Sequence, residues 1–195
     1  QNYVSIASGL WSQTATWSSG IIPSPNDNVT ISSGTTVTID IAAFAGTLSV
    51  DGNLEYEATT ARTLAVTTDL YVLLGGVFSS ASSGTQTGHV LSVGGNITND
   101  GSINFNTNTN TAGARIIFTG TGNATFSTIL GTSNIRTMTV NKGTDYTSNS
   151  VEINGIGYTA AAGFLTLSNG TFKVHADLGS NTSFSSAAYT IPATA

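Results

Sequence analysis

The chain contains no cysteine and very little charge. Its 195 residues include five Lys plus Arg and ten Asp plus Glu, so charged residues make up only 8% of the chain and the formal net charge is -5. The absence of cysteine excludes disulfides, thiolate metal ligands and cysteine nucleophiles. With so few basic residues and a sequence pI near 4.6, the chain offers no basic surface to neutralise phosphates, so we expect no nucleic-acid partner.

Long hydrophobic runs are also missing. No apolar segment reaches the roughly 18 residues that a membrane-spanning helix needs, and no charged-then-apolar leader opens the chain. We therefore expect no membrane span and interpret the chain as an already processed secreted protein. Because 39% of the residues are hydrophobic and the net charge is modest, the chain is expected to fold, as a single domain.

The periodicity of the sequence indicates strands and gives almost no sign of helices. Short segments alternate apolar residues with Ser or Thr, as in Val29–Ile31, Leu48–Val50 and Leu91–Val93, whereas apolar residues at the three-and-four spacing of a helix are absent. Gly and Asn interrupt these segments about every twelve residues, which is typical of turns. The chain is therefore predicted to be all-β, with one apolar and one hydroxyl face on each strand.

An internal repeat suggests the architecture. The segment Leu48–Leu54 returns as Leu91–Ile97, 43 residues later, with a looser copy at Leu64–Leu70, and Leu91 lies 47 residues before Met138. Half of these offsets is close to the roughly 20 to 25 residues of one solenoid coil, which indicates two coils per period. The pattern predicts a right-handed parallel β-helix, and the alternative is a β-sandwich or jelly roll.

The two ends of such a solenoid need caps. We expect residues 1–28 to form an N-terminal capping segment, in which Trp11 and Trp17 cover the core, and residues 29–195 to form the coils. The C-terminal Tyr189–Ala195 has little with which to cap the other end, so this end could pair with another copy, head-to-tail or by strand donation, and build a filament.

Several segments resemble a known group of proteins. The opening Gly9–Ile31 is similar to the start of large secreted Bacteroidetes surface proteins, which begin a β-helix much like the G8 domain, and Ile117–Asn123, Met138–Gly143 and Leu165–Thr171 look like recurring coil phrases of that group. The resemblance implies export to the cell surface or medium, often by the type IX route, and a role in adhesion or polysaccharide contact. It implies no particular reaction.

One pair of carboxylates has a spacing that deserves a catalytic interpretation. Glu55 and Glu57 fall on the same side of a strand, about 6.5 to 7 Å apart at strand rise, which overlaps the separation in inverting glycosidases. Carboxylates on a strand normally face water, however, and Arg62 is a nearby partner. We interpret them as a solvated strand face and predict no catalytic residue.

Other residues are candidates for binding. Tyr56 and Tyr71 are candidates for contact with a glycan, and Arg115 and Arg136, separated by about one coil, are candidates for a small cationic ladder toward an anionic glycan. The alternation along their strands does not place Arg115 and Arg136 at matching positions, so the simpler interpretation is that they are two unrelated exposed arginines. The run Thr107–Thr111 resembles a hydroxyl array of ice-binding solenoids but more often forms a polar loop.

No cofactor or metal ligand set is predicted. Asp51 and Asp69 follow similar strands and are the one pair to consider for a calcium ion. His89 and His175 lie far apart, without metal-ligand spacing, and we assign them no role. The leading functional hypothesis is a non-catalytic extracellular structural or adhesive module, and the alternative is a carbohydrate-binding module or a truncated polysaccharide lyase.

Overall fold

The computed structural model describes residues 1–106, 112–155, 157–160 and 163–176. These residues form three parallel β-sheets and one short 3₁₀-helix, Thr14–Thr16. The eight-stranded sheet contains β1 (Asn2–Val4), β3 (Asn28–Ile31), β6 (Leu48–Val50), β9 (Leu70–Val72), β12 (Ile97–Asn99), β15 (Ala124–Thr128), β18 (Ser150–Gly155) and β21 (Thr171–Ala176). The seven-stranded sheet contains β2 (Gly9–Leu10), β4 (Thr36–Ile39), β7 (Asn53–Tyr56), β10 (Val77–Ser80), β13 (Ser102–Asn104), β16 (Thr132–Ile135) and β19 (Tyr158–Ala160). The six-stranded sheet contains β5 (Ala43–Ala45), β8 (Thr63–Val66), β11 (His89–Val93), β14 (Ala114–Phe118), β17 (Thr137–Asn141) and β20 (Leu165–Asn169).

The order of the strands defines a solenoid. From β3 onward, each strand pairs in parallel with the strand three places later in the chain, so successive strands pass from one sheet to the next and then return. The described residues thus wind through about seven turns. The predicted all-β parallel solenoid is confirmed. The β-sandwich alternative is wrong, because sandwiches are built from antiparallel strands and every pairing between the named strands here is parallel.

Alternation along each strand places the apolar residues in one continuous core. In the eight-stranded sheet, Val29, Leu48, Leu70 and Ile97 stand directly above one another and are all essentially buried. Adjacent parallel strands lie about 4.8 Å apart, so equivalent residues of successive coils pack side by side. The core is therefore a stack of ladders, and the Ser and Thr residues between them face outward.

The interpretation of the sequence repeat was wrong in one respect. Leu48 lies on β6 of the eight-stranded sheet, whereas Leu91 lies on β11 of the six-stranded sheet, so the 43-residue offset does not separate equivalent positions. The looser copy at Leu64 is the residue that pairs with Leu91. Coils also vary in length, from 17 residues between Thr36 and Asn53 to 30 between Ser102 and Thr132.

The N-terminal end of the eight-stranded sheet is covered by the chain itself. Ser5 and Trp17 form an antiparallel bridge, and the Ser18 amide donates to the Val4 carbonyl (2.8 Å), so the outer edge of β1 is already paired. The indoles of Trp11 and Trp17 are buried in T-shaped contact, with centroids 4.9 Å apart. Residues 1–28 also contribute β1 and β2, which pair in parallel with β3 and β4.

A row of glycines marks the corner between the eight- and seven-stranded sheets. Gly52, Gly76, Gly101 and Gly131 occupy this corner on four successive coils, and a Cβ atom at each would meet a backbone carbonyl oxygen of the preceding coil. The coils approach too closely here for any side chain. Glycine is therefore required at this corner for reasons of space.

Candidate functional site

The outward face of the eight-stranded sheet carries a column of hydroxyl groups. Thr30, Ser49, Tyr71, Thr98 and Ser127 stand next to one another on five successive strands, β3 to β15, because their strands pair in register. All five side chains are half-buried. Within the part of the chain that the structure describes, none of these five side chains forms a hydrogen bond. We refer to this row as the Tyr71 column.

The corresponding column on the seven-stranded sheet is different. There the Thr38 hydroxyl donates to Glu55 Oε1 (3.1 Å), Asn134 Nδ2 donates to Asn104 Oδ1 (3.3 Å), and the Thr159 hydroxyl donates to Asn134 Oδ1 (2.6 Å). These polar groups bind one another from coil to coil. They stabilise the stacking of the coils and leave less hydrogen-bonding capacity for a ligand.

The two tyrosines that the sequence suggested for glycan contact occupy opposite environments. Tyr56 has no exposed surface, its ring stacks on Phe78 with centroids 5.5 Å apart, and its hydroxyl donates to the Val90 carbonyl (2.8 Å). Burial raises the pKa of Tyr56. Tyr71 instead faces outward from β9 and is half-buried. Only Tyr71 therefore offers a surface to a ligand.

The two candidate arginines do not form a ladder. Arg115 is exposed on β14 and pairs with Thr137 of β17, so Arg136 lies one residue before the position opposite Arg115. Arg136 Nη1 donates to the Thr87 carbonyl (3.0 Å). Both residues lie away from the eight-stranded sheet, which means that the structure does not bring them together with Tyr71.

Glu55 and Glu57, which the sequence pattern placed together, have different structural roles. Strand β7 ends at Tyr56, so Glu57 lies in the following turn, where its carboxylate forms an ion pair with Arg62 Nε. Glu55 remains on the outward face of β7 and accepts the bond from Thr38. Each carboxylate therefore has a structural partner of its own.

The proposed calcium pair is not assembled. Asp69 precedes β9 and Asp51 follows β6, so the two residues lie at opposite ends of neighbouring strands, about 13 Å apart along the strand direction. Asp69 Oδ1 accepts bonds from the Asn96 amide (2.7 Å) and from Asn96 Nδ2 (3.0 Å). Among the described residues, no group of three or more His, Cys, Asp or Glu side chains could hold a metal ion together.

Two other carboxylates fix turns. Asp27 accepts bonds from Ser24 and from the N-terminal amine, and these bonds lower its pKa to about 2. Asp145 accepts four bonds from Thr147 and Ser148, which hold its pKa below the usual range. A general acid of a glycosidase needs the opposite shift. These carboxylates stabilise turns and are unsuited to proton donation.

Sequence reasoning missed the environment of His89. Its side chain is completely buried, stacks on Tyr56 with centroids 4.7 Å apart, and accepts a bond from the Arg62 amide at Nδ1 (3.1 Å). Its Nε2 atom has no partner among the described residues. Burial lowers the pKa of His89, the positive charge of Arg62 acts in the same direction, and Glu57 opposes both.

The buried His89 predicts a pH dependence of stability. Because the pKa of His89 lies below the ordinary 6.5 in the folded state, the unfolded chain binds more protons in this range. The free energy of unfolding should therefore fall as the pH decreases from 7 to 5. Urea unfolding of the wild type and of His89→Asn, which keeps an acceptor near the Arg62 amide, measures this slope.

We expect His89→Asn to lose most of the slope between pH 7 and pH 5. His175→Asn is the matched control, because His175 is exposed on β21. An equal slope in His89→Asn and the wild type would show that His89 is not the group responsible.

Lys142 is a second buried group that the sequence did not reveal. Its side chain has no exposed surface, and Nζ donates to the carbonyls of Gly94 and Thr119, both at 2.6 Å. Burial lowers the pKa of Lys142. The one sequence feature that could have indicated this burial is that the lysine directly follows the alternating strand Thr137–Asn141. Lys142 thus joins carbonyl groups that belong to two earlier coils.

A shallow groove lies beside the glycine corner. It has a volume of about 260 Å³ and runs between the exposed side chains of Leu74 and Leu130, over Asp100 and Gly101. Its floor is mostly backbone, since glycines line it. Asp100 is the one ionisable side chain in the lining, so the groove offers shape and little chemistry.

Comparison with known protein families gives one match. The model of the G8 domain matches residues 16–145, which is 130 of the 195 residues. The chain belongs to the G8 domain family. G8 is a non-catalytic domain family that is usually found in extracellular proteins. Neither a curated protein nor a solved structure matches the chain.

The G8 match covers the part of the solenoid that contains the candidate groups. Trp17, Tyr71, His89 and Lys142 all fall within it, whereas β18 to β21 lie beyond it. Among the described residues of this G8 protein, no helix is long and apolar enough to cross a bilayer. The runs Thr107–Thr111 and Tyr189–Ala195, which the sequence singled out, lie outside the described residues.

Proposed function

We propose that this G8 protein is a non-catalytic extracellular module with a structural and adhesive role at the cell surface. The proposal rests on the observation that ionisable groups of the chain form structural contacts. Glu57 pairs with Arg62, Asp27 and Asp145 fix turns, and Lys142 joins coils. Such groups maintain a rigid scaffold, and a rigid scaffold with a broad polar surface suits adhesion.

The family supports the extracellular location, and the composition agrees with it. A surface built from Ser, Thr and Asn with 8% charge departs from the roughly 25% charged residues of ordinary globular domains. Export from a Bacteroidetes cell by the type IX route is the finer form of this proposal, and it rests on the resemblance of Gly9–Ile31 and the later coil segments.

Self-association is a weaker part of the proposal. The outer edge of β1 is paired with the chain's own Trp17–Ser18 segment, so another copy could add a strand there only by displacing this segment. We therefore do not expect a filament to grow by adding a copy at the N-terminal end. Electron microscopy together with light scattering tests for filaments, and filaments would show that an incoming copy displaces this segment or binds a surface other than the edge of β1.

The absence of turnover is the direct test of the proposal. We expect the purified chain to retain cells or polysaccharide on a coated surface while releasing no new reducing ends or unsaturated uronates from a panel of polysaccharides. The heat-unfolded chain is the control for adhesion. Reproducible cleavage that Glu55→Gln abolishes would overturn the proposal and favour a carbohydrate-active enzyme.

A further inference from the structure

The Tyr71 column has the dimensions of a binding surface for an extended chain. Its five residues, from Thr30 to Ser127, span four steps between paired strands, or about 19 Å. Tyr71 stands at the middle, with Ser49 and Thr98 directly beside it. The column runs across the strands along the axis of the solenoid, so a linear ligand could contact all five side chains.

The polar groups of this column are available. Among the described residues, the hydroxyls of the Tyr71 column form no hydrogen bond, whereas the Thr38, Asn104, Asn134 and Thr159 side chains on the seven-stranded sheet bind their neighbours. Half-buried hydroxyls held on rigid strands can donate and accept without rearrangement. The contrast between the two faces therefore singles out the eight-stranded sheet.

The chemistry of the column fits a sugar chain. An aromatic ring packs against the C–H face of a pyranose, and short hydroxyl side chains beside it bind the ring hydroxyls. The buried Tyr56 and Tyr158 use their hydroxyls internally, Tyr56 with the Val90 carbonyl and Tyr158 with the Phe126 carbonyl. Tyr71 is outward-facing, and its hydroxyl makes no internal bond in the described residues.

The charge around the column selects the class of sugar. Asp69 lies at one margin of the sheet, and Asp51 and Asp100 lie at the other. Arg115 and Arg136, the two arginines considered for an anionic glycan, lie outside this sheet. The one described lysine within it, Lys173, lies on β21, two strands beyond Ser127. A polyanion would therefore meet like charge at both margins of the column, with the net charge of -5 adding to the repulsion.

We propose that the Tyr71 column is a binding surface for a neutral, extended polysaccharide, with one sugar ring packed on Tyr71. The inference rests on the adhesive function proposed above and names its ligand class and its face. Anionic polysaccharides are repelled at this surface by Asp51, Asp69 and Asp100.

Affinity gel electrophoresis of the full chain tests the proposal. We expect retardation in gels that contain hydroxyethyl cellulose or glucomannan and none in gels that contain polygalacturonate or alginate. Tyr71→Ala should weaken binding to the neutral polymers about tenfold, because it removes the stacking surface. Tyr71→Phe should retain most of the affinity, and Thr98→Val should weaken it by a smaller factor.

Two substitutions serve as matched controls. Tyr146→Ala removes a half-exposed tyrosine from the turn that Asp145 fixes, and Thr139→Val removes an outward hydroxyl from the six-stranded sheet. Neither should change retardation. Equal weakening by Tyr71→Ala and Tyr146→Ala, or binding of the polyuronates alone, would overturn the inference.

The outcomes also separate this inference from the proposed function. Adhesion to cells that persists without retardation by any neutral polysaccharide would reject the Tyr71 column and leave the adhesive module intact. Loss of both adhesion and retardation in the folded chain would reject both.

Discussion

Replacing Lys142 by Met should lower the free energy of unfolding by about 3 kcal/mol. The methionine side chain fills much of the same space, but the carbonyls of Gly94 and Thr119, each 2.6 Å from Nζ, lose their donor. Buried carbonyl groups without a partner are destabilising, and bonds from a charged donor are stronger than neutral ones. Urea unfolding followed by circular dichroism measures the change.

Lys173→Met is the control for this experiment. Lys173 is the exposed lysine of β21, and losing its charge should change the free energy of unfolding by less than about 0.5 kcal/mol. Similar midpoints for the two variants would mean that Lys142 does not hold the coils together. A large loss in Lys142→Met alone would establish that one cation joins three coils of the solenoid.

The solenoid could be predicted because its rules are local. Alternation in segments such as Val29–Ile31 specifies a strand with one buried face, and the Gly and Asn residues between strands specify corners. Repetition of this unit then predicts parallel stacking, since each coil can bury its apolar face only against the next. The observed parallel strands confirm this prediction.

The assignment of strands to faces could not be predicted in the same way. Leu48–Val50 and Leu91–Val93 share three residues and yet lie on different sheets, because all three faces of the core demand the same alternation. Coils of 17 to 30 residues accommodate turns of different length between corresponding strands. Similarity between two strands therefore carries no information about which face they share.

Burial of single polar residues was equally hard to predict. Tyr56 and Tyr71 both lie in short strands of mixed residues, but Tyr56 faces the core and Tyr71 faces outward. A shift of one residue in the register of a strand moves a side chain from the core face to the outward face. Glu55 and Glu57 show the same limit, because the strand ends between them and the alternation no longer applies to Glu57.

The candidate site was only partly visible in the sequence. Tyr71 could be named from its residue type, whereas its partners could not, because Thr30, Ser49, Thr98 and Ser127 come from four other coils and become neighbours only through the register of the sheet. Lys142 and His89 follow the same pattern. The carbonyls that Lys142 binds lie at least 23 residues away along the chain, and the amide that His89 binds lies 27 residues away.

Substitution of Gly101 by Ala should strongly destabilise the solenoid. The new Cβ would lie against the backbone oxygens of Leu73 and Gly76 in the preceding coil, closer than folded proteins tolerate, and neither oxygen can move without shifting its coil. Overpacking of this kind is destabilising by about 3 kcal/mol. The expected result is a lower midpoint in thermal and urea unfolding.

Gly122→Ala provides the control, because a Cβ atom there has open space around it and the backbone of Gly122 does not have a positive φ. Its stability should match or slightly exceed that of the wild type, since alanine restricts the unfolded chain more than glycine does. Gly75→Ala tests backbone strain separately from steric overlap. Its Cβ would also be free of contacts, but the φ of 90° is unfavourable for alanine. If Gly101→Ala destabilises no more than Gly75→Ala, conformational freedom rather than the close approach of the coils explains the glycine corner.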